Sequence, residues 1–198
     1  MIGGLDFDKE LHLYSREGIP VPSVSAILGF MGLVPNKRFF KKSDALRGTY
    51  VHSITEIMDS GELDWDDLDP LLRPYAEAYK SFQETESFFW TLTEKILFNE
   101  ILWYGGTVDR TGVLNNADIT LDIKTGKGSL TPAMGIQTAA YDMALHDEKT
   151  ERWILYLRPT GKYKLYQCED PEDYAAFSHG AWLYNWSRKH KISELEVT

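Results

Sequence analysis

One short segment constrains the fold more than any other part of the chain. Residues 117–125, ADITLDIKT, alternate apolar with polar side chains. Because successive side chains of a β-strand point to opposite faces, the alternation predicts a strand with one face in a core. Asp122 and Lys124 lie on the other face, so a carboxylate and an ammonium group share one side of one strand. The apolar face is formed by Ile119, Leu121 and Ile123.

The rest of the chain predicts an α/β fold with a central mixed sheet flanked by helices and a mainly helical N-terminal portion. The predicted strands are 92–100, 102–109, 117–124, 152–158 and 162–168, after an extended strand pair at LHLYS and IPVPS. The predicted helices are VSAILGF capped by Ser23, Ser43 to near Gly61, Leu71 to Phe89, one started by Thr131-Pro132, and Pro171 to Lys189. No repeat or linker divides the chain, so we expect one domain over 1–198, made of portions 1–90, 91–170 and 171–198.

The composition indicates an ordinary globular protein. The chain has 198 residues, of which 43% are hydrophobic and 26% charged, which argues against a disordered or collagen-like chain. No apolar run approaches the roughly 20 residues that a membrane span requires, and the acidic start lacks the pattern of a signal peptide. The single cysteine, Cys168, excludes an internal disulfide, a cysteine-ligated zinc site and a four-cysteine iron–sulfur cluster. We therefore expect a cytoplasmic protein without a membrane partner.

The formal net charge of −9 argues against a protein that coats nucleic acid, because phosphate neutralisation requires Lys and Arg. The charge is unevenly distributed, however: residues 56–69 carry acids and no base, whereas two other stretches are basic. Each basic stretch is either a solvated helix face or a local contact to a polyanion. The basic residues are Lys37, Arg38, Lys41, Lys42 and Arg47 in the first stretch and Arg188, Lys189 and Lys191 in the second.

Asp109 is a second carboxylate that we expect beside Asp122. It stands at the predicted end of the preceding strand, and a hairpin connection would bring the two acids together. Two convergent carboxylates bind a hard divalent cation such as Mg²⁺, and Lys124 could then orient or deprotonate a water molecule. The Asp-x-Lys pattern alone is also that of a cross-strand ion pair, in which Lys124 only neutralises the acids.

The Asp-x-Lys pattern is one of four short motifs that follow one another along the chain. The histidine of RGTYVHSITE is followed by the aspartate of GGTVDR, the Asp-x-Lys of LDIKTG and the Gln-x-x-x-Tyr of IQTAAYDMAL. In this order the chain resembles the PD-(D/E)XK nuclease superfamily, specifically its RecB-like and phage-type exonuclease branch. The resemblance covers roughly residues 20–145 and includes VPSVSAILG. The matching residues are His52, Asp109, Asp122, Lys124, Gln137 and Tyr141.

The resemblance implies a restriction-endonuclease-like core and a nuclease that requires Mg²⁺, with Mn²⁺ able to replace it. Residues 1–90 would then be the mainly helical substrate-binding portion, 91–170 the catalytic sheet core and 171–198 the C-terminal helix. Lys124 would position the attacking water. The implied metal ligands are Asp109, Asp122, the main-chain carbonyl of Ile123 and the His52 imidazole.

The resemblance also implies residues that contact the substrate. Gln137 and Tyr141 lie four residues apart on one helix face, where they either contact the DNA or pack against the core. Arg47, Lys41 and Lys42 are further substrate-binding candidates. Two more acids have alternative interpretations. Glu56, one helical turn after His52, either orients that histidine or begins the acidic stretch, and Glu94 is either a site acid or a solvated strand end.

The function implied is hydrolysis of DNA phosphodiester bonds from a strand end, in recombination, repair or phage replication. The partners would be single-stranded DNA or DNA with accessible ends, together with a recombination or replication protein, in the cytoplasm of a bacterium or a phage-infected cell. Two alternatives use the same fold: an endonuclease or junction resolvase with the same site, and a catalytically idle module that binds nucleic acid or protein.

Overall fold

The computed structural model describes residues 5–8, 11, 13–34, 42–145 and 149–192, and the side chains of residues 42 and 43 lie outside this description. The chain forms a three-stranded sheet, a five-stranded mixed sheet and helices on both faces of the larger sheet, which confirms the predicted α/β architecture. The strands are β1 (Leu5–Asp8), β2 (Leu13–Arg16), β3 (Ile19–Val21), β4 (Phe88–Asn99), β5 (Tyr104–Leu114), β6 (Ala117–Thr125), β7 (Glu151–Leu157) and β8 (Tyr163–Gln167). The helices are α1 (Val24–Phe30), α2 (Lys42–Asp59), α3 (Arg73–Thr85), α4 (Pro132–Leu145) and α5 (Glu172–Lys189).

The larger sheet has the strand order β4-β5-β6-β7-β8. All neighbouring strands are antiparallel except β6 and β7, which are parallel. Parallel neighbours require a crossover connection, and α4 provides it. Helix α4 packs over the face of β6 that carries Asp122 and Lys124, so these two side chains lie between the sheet and the helix.

Two apolar layers cover the sheet. Helices α2 and α3 pack on the face formed by Ile119, Leu121 and Ile123, as the alternation in β6 predicts. Helices α1, α4 and α5 pack on the other face, around Val108 and Phe177. Both faces of the central strands are therefore buried, and a polar side chain there must find a partner inside the protein.

The first strand of the larger sheet begins earlier than the sequence pattern predicts. Phe89 follows Tyr75, Tyr79 and Phe82 at near-helical spacing, which predicts one helix as far as residue 89. Instead α3 ends at Thr85, and Phe89 is an exposed residue of β4. The aromatic rings of Phe88 and Phe82 still meet, with centroids 5.3 Å apart, because the strand folds back against the helix.

The hairpin between β5 and β6 lies where the sequence predicts a turn, but β5 is longer than expected. Asn115 and Asn116 have φ angles of 50° and 72°, and two-residue hairpin turns of this kind need positive φ at both positions. The strand predicted to end at Asp109 continues to Leu114. Asp109 therefore lies in the middle of β5 and does not close it.

The N-terminal sheet joins the larger sheet through α1. Strands β2 and β3 pair antiparallel, as the sequence predicts, and β1 adds a third strand. Ser23 caps α1 by accepting the Ala26 backbone N–H at 3.0 Å, and it also forms a parallel bridge to Gly105 of β5. Among the described residues, no helix is both long and apolar enough to cross a bilayer.

Candidate metal centre

The site lies where β5 and β6 separate. Their pairing ends at Arg110 and Leu121, and the Asp109 carboxylate enters the gap beyond that pair. Asp109 Oδ2 accepts the backbone N–H of Ile123 at 2.5 Å, in place of a strand carbonyl. The N–H and C=O of one strand residue point to the same side of the strand, so the Ile123 carbonyl also faces this gap.

His52 of α2 reaches the gap from the sheet face on which α2 and α3 pack. Its Nδ1 lies 3.2 Å from Glu94 Oε1 and 3.4 Å from Asp109 Oδ1. Its Nε2 lies 3.2 Å from the carbonyl oxygen of Ile123. The imidazole therefore faces two carboxylates with one nitrogen and a main-chain carbonyl with the other.

Glu94 is held at the site by an irregular position in β4. Thr93 pairs with Arg110 and Lys95 pairs with Val108, which places Glu94 opposite Asp109. The φ angle of Glu94 is 45°, uncommon for a residue other than glycine, and this turns it away from a regular strand conformation. The sequence offers Glu94 as one of two uncertain acids, and the structure places it against His52.

The residues of this cluster fit a divalent cation. One nitrogen of His52 and one oxygen from each of Glu94 and Asp109 lie within 4.8 Å of one another. Adjacent ligands at about 2.1 Å from an octahedral Mg²⁺ are separated by about 3 Å, close to the spacings around His52 Nδ1. The carboxylate and carbonyl oxygens of this set are the donors that Mg²⁺ and Mn²⁺ prefer. Asp122, which the resemblance implies as a further ligand, has its Oδ2 2.7 Å from Lys124 Nζ, and its ligand role stays a prediction.

Lys124 is fixed by a chain of polar contacts behind the cluster. Its Nζ lies 2.7 Å from Asp122 Oδ2 and donates to Gln137 Oε1 at 3.0 Å. Gln137 Nε2 in turn donates to the Tyr141 hydroxyl at 2.7 Å. Tyr141 is buried against Gly106, where a Cβ would lie 3.0 Å from the tyrosine ring. Gln137 contacts the lysine and Tyr141 contacts Gln137. The substrate contact that the resemblance implies for both residues stays a prediction.

Burial and the packed charges set the protonation of these groups. Burial lowers the pKa of His52, but the nearby carboxylates of Asp109 and Glu94 outweigh it and raise that pKa to about 11. Burial and the charge of Asp109 raise the pKa of Asp122 to about 6, although Lys124 opposes this shift. Burial also disfavours the Lys124 ammonium, yet Asp122 and Asp109 raise its pKa above the usual value. Lys124 is therefore a stable cation, suited to orient a group through hydrogen bonds.

The remaining predicted site residues lie elsewhere or outside the description. Glu56 is exposed, and the acids that contact His52 are Glu94 and Asp109. Arg47 of α2 forms a part-buried ion pair with Asp44 at 2.8 Å. Lys41 and the side chain of Lys42 lie outside the described residues.

Sequence reasoning missed a buried arginine that joins two elements of the site. Arg110 has no exposed side-chain surface, and its Nε donates to Asp59 of α2 at 2.9 Å. Its Nη2 donates to Thr55 of α2, and its Nη1 donates to the main-chain carbonyl of Asp109. The only signal in the sequence is the position of Arg110 directly after Asp109, and a charged residue is ordinarily expected at the surface.

The comparisons with known proteins support the fold. No family model and no curated protein match the sequence. Among solved structures, a candidate exonuclease from Eubacterium rectale aligns with a TM-score of 0.54 at 15% identity, covering 91% of this chain and 77% of that one. LHK-Exo in complex with dAMP aligns with a TM-score of 0.47 at 14% identity, covering 89% of this chain and 91% of that one. The chain is therefore similar in fold to the protein from Eubacterium rectale.

Proposed function

We propose that the protein is a metal-dependent deoxyribonuclease, and specifically an exonuclease that hydrolyses DNA from a strand end in recombination, repair or phage replication. The observation that carries the proposal is the convergence of His52, Glu94, Asp109 and the Ile123 carbonyl beside the Asp122–Lys124 pair. Three carboxylates, an imidazole and a lysine gathered in one partly buried site are typical of a site that binds or transforms a ligand. The shared fold with a candidate exonuclease agrees with this proposal.

Mg²⁺ bound at the cluster would withdraw charge from the phosphate and its leaving oxygen. Asp109, Glu94 and His52 would hold the ion, and the Ile123 carbonyl would face it from the strand. Mn²⁺ has similar ligand preferences and would replace it.

The chain's own groups would orient the reaction. Lys124, kept cationic by Asp122 and aligned by Gln137, would position the attacking water for in-line displacement at phosphorus. The fixed ammonium would also stabilise the negative charge that develops on the phosphoryl oxygens. The cleaved strand would carry a 5′-phosphate.

Cleavage of end-labelled linear DNA tests the function directly. Labelled single-stranded and double-stranded substrates would be incubated with Mg²⁺, Mn²⁺ or EDTA, using wild-type protein and the Asp122→Asn variant. We expect cleavage with either metal, none with EDTA, and a loss of at least about 10²-fold in the variant, since it removes a charge that fixes Lys124.

Two other results would replace the proposal. Wild-type-like turnover of Asp122→Asn would remove the Asp122–Lys124 pair from the active site. Binding of DNA without any metal-dependent cleavage would favour the catalytically idle module, which keeps the fold and a nucleic-acid surface. Circular dichroism of both proteins controls for folding.

A further inference from the structure

A row of side chains crosses the sheet from the candidate site to the sheet edge. Lys124 of β6 pairs in register with Tyr156 of β7, and Tyr156 pairs with Lys164 of β8, the edge strand. Residues paired in a sheet register point to the same face, so these three side chains lie in line. At about 4.8 Å between strands, the row reaches roughly 10 Å from Lys124.

The loop that follows β6 brings another cation to this row. Gly128 lies against the Tyr156 hydroxyl so closely that a Cβ at this position would collide with it. Arg158 donates from Nη2 to the Gly128 carbonyl at 3.3 Å, which joins the loop to the end of β7. Lys127 stands on this loop with its side chain exposed.

We define the basic strip by the cations of these two segments, Lys124, Lys127, Arg158, Lys162 and Lys164. Segments 124–131 and 156–166 contain no Asp or Glu, although the whole chain has a net charge of −9. Within the described part of the chain, none of the strip's cations other than Lys124 lies within ion-pair distance of a carboxylate. Two acids approach these segments without pairing with their cations: Glu77 of α3 lies near Gly161, and Glu86 accepts the Tyr163 hydroxyl at 2.7 Å.

We propose that the basic strip binds the phosphate backbone of the DNA strand on one side of the cleaved bond. The inference rests on the proposed function, because Lys124 belongs both to the strip and to the active site. Clustered cations without acidic partners repel one another, and a polyanion relieves that repulsion. A strand stacked as in a B-form duplex, with a rise of about 3.4 Å per nucleotide, would place roughly 3 phosphates along the row.

The strip lies on a different part of the fold from the basic residues that the sequence brings forward. Lys41 and Arg47 precede or belong to α2, and Arg188 and Lys189 belong to the end of α5. The strip residues come from two segments about 30 positions apart, joined by the register of β6, β7 and β8. Contacts of this kind bind the backbone without reading bases, so the strip would serve any DNA sequence.

The test is the salt dependence of binding. Fluorescence anisotropy would measure the Kd of fluorescein-labelled (dT)12 in EDTA, which suppresses metal-dependent cleavage, over a range of NaCl concentrations. In the Lys162→Gln/Lys164→Gln variant we expect weaker binding and a slope of log K against log salt that is smaller by about 1.4, since each phosphate contact on a single strand contributes about 0.7.

Two matched variants locate the effect. Lys80→Gln removes an exposed charge from α3, on the opposite layer, and should retain the wild-type slope. Arg188→Gln/Lys189→Gln removes two charges from α5 and should also retain it. An unchanged slope in Lys162→Gln/Lys164→Gln, or a loss of slope confined to the α5 variant, would overturn the inference.

The outcome is distinct from that of the proposed function. A protein that binds (dT)12 through the strip but cleaves nothing contradicts the nuclease proposal and supports the strip. A protein that cleaves DNA with metal, but whose strip variant binds like wild type, contradicts the strip and leaves the nuclease proposal in place.

Discussion

Glu94 lies near His52 in space and Glu56 lies near it in sequence, and only Glu94 contacts the histidine. Glu94 Oε1 lies 3.2 Å from the histidine ring, whereas Glu56, one helical turn after His52, is exposed. Glu94→Gln removes one charge from the proposed metal cluster with little change of volume. We expect weaker Mn²⁺ binding by isothermal titration calorimetry and a higher metal requirement for cleavage.

Glu56→Gln is the matched control for that change, because it removes the same charge from the same neighbourhood without touching the cluster. Its metal titration should coincide with that of the wild type. Equal effects of the two variants would show that net charge, and not ligation, determines metal affinity here.

Replacement of Lys124 tests whether this residue positions water while His52, Glu94 and Asp109 bind the metal. Lys124→Met keeps much of the side-chain length but removes the ammonium that pairs with Asp122 and bonds to Gln137. Positioning groups of this kind are typically worth about 10²–10⁴-fold in rate. We expect that loss in cleavage with Mn²⁺ binding retained, because the lysine contacts none of His52, Glu94 and Asp109 in the described hydrogen bonds.

Calorimetry and cleavage should be measured on the same Lys124→Met preparation. If metal binding collapsed while cleavage remained high, the lysine would belong to the metal site and not to the water. If both stayed at wild-type levels, the Asp122–Lys124 pair would be an ion pair within β6 with only a structural role.

At the scale of elements, a buried ion pair fixes the helix that carries His52 to the strand that carries Asp109. Asp59 accepts hydrogen bonds from Arg110 of β5 and from Tyr79 and Gln83 of α3. Removing one partner of a buried pair leaves an uncompensated charge and costs about 3–5 kcal/mol. Asp59→Ala should therefore lower the free energy of unfolding in urea by about that amount.

An exposed pair on α3 provides the comparison. Lys80 and Glu84 lie 3.8 Å apart in an i,i+4 arrangement on the surface. Glu84→Ala should change the free energy of unfolding by no more than about 0.5 kcal/mol. A similar small change in Asp59→Ala would mean that the Arg110 contacts do not hold α2 against the sheet.

The same elements show what the sequence can and cannot predict. The alternation of Ile119, Leu121 and Ile123 predicts β6 and its buried face, because strand periodicity is a local property. The position of Glu94 depends on the register of β4 against β5 and on a φ of 45°, neither of which is encoded in a short window. The burial of Arg110 depends on partners that lie more than fifty residues earlier in the chain.

Contacts between residues far apart in the chain also explain why α3 ends at Thr85 and not at Phe89, as the sequence predicts. Helical spacing of aromatic residues continues from Tyr75 to Phe89, so a local pattern has no reason to stop at Thr85. The stop comes from outside the segment: the Asn115 side chain accepts the Ser87 backbone N–H at 3.2 Å, and its backbone N–H donates to the Ser87 carbonyl at 2.7 Å. Hydrogen bonds to the turn between β5 and β6 thus fix Ser87 at the start of β4, where the helix cannot continue.

At the scale of the whole molecule, the distribution of charge predicts how the proposed nuclease would bind DNA. An acidic chain with a local basic strip makes few phosphate contacts, so it should bind strands locally and not coat them. We expect linear single strands, and duplexes with an accessible end, to be degraded to short products, while covalently closed circles survive. Gel analysis of both substrates in Mg²⁺ measures this difference.

Cutting of closed circular single-stranded DNA by a pure preparation would contradict end dependence. The site would then belong to an endonuclease or junction resolvase with the same residues. The same strand linearised by one cut, which has two ends, is the internal control: it should be degraded under the conditions in which the closed circle is stable.

Ile123 contributes to the site through backbone atoms that every amino acid except proline possesses. Its N–H binds Asp109 and its carbonyl faces His52, while its side chain packs in the core with Leu121 and Leu155. Chemistry therefore places no demand on the side chain at this position, and only the space under α2 and α3 restricts it. Leucine or valine at position 123 would supply the same N–H and carbonyl. Substitutions that change only the side chain therefore cannot detect this contribution. A shift of the β6 backbone would remove it.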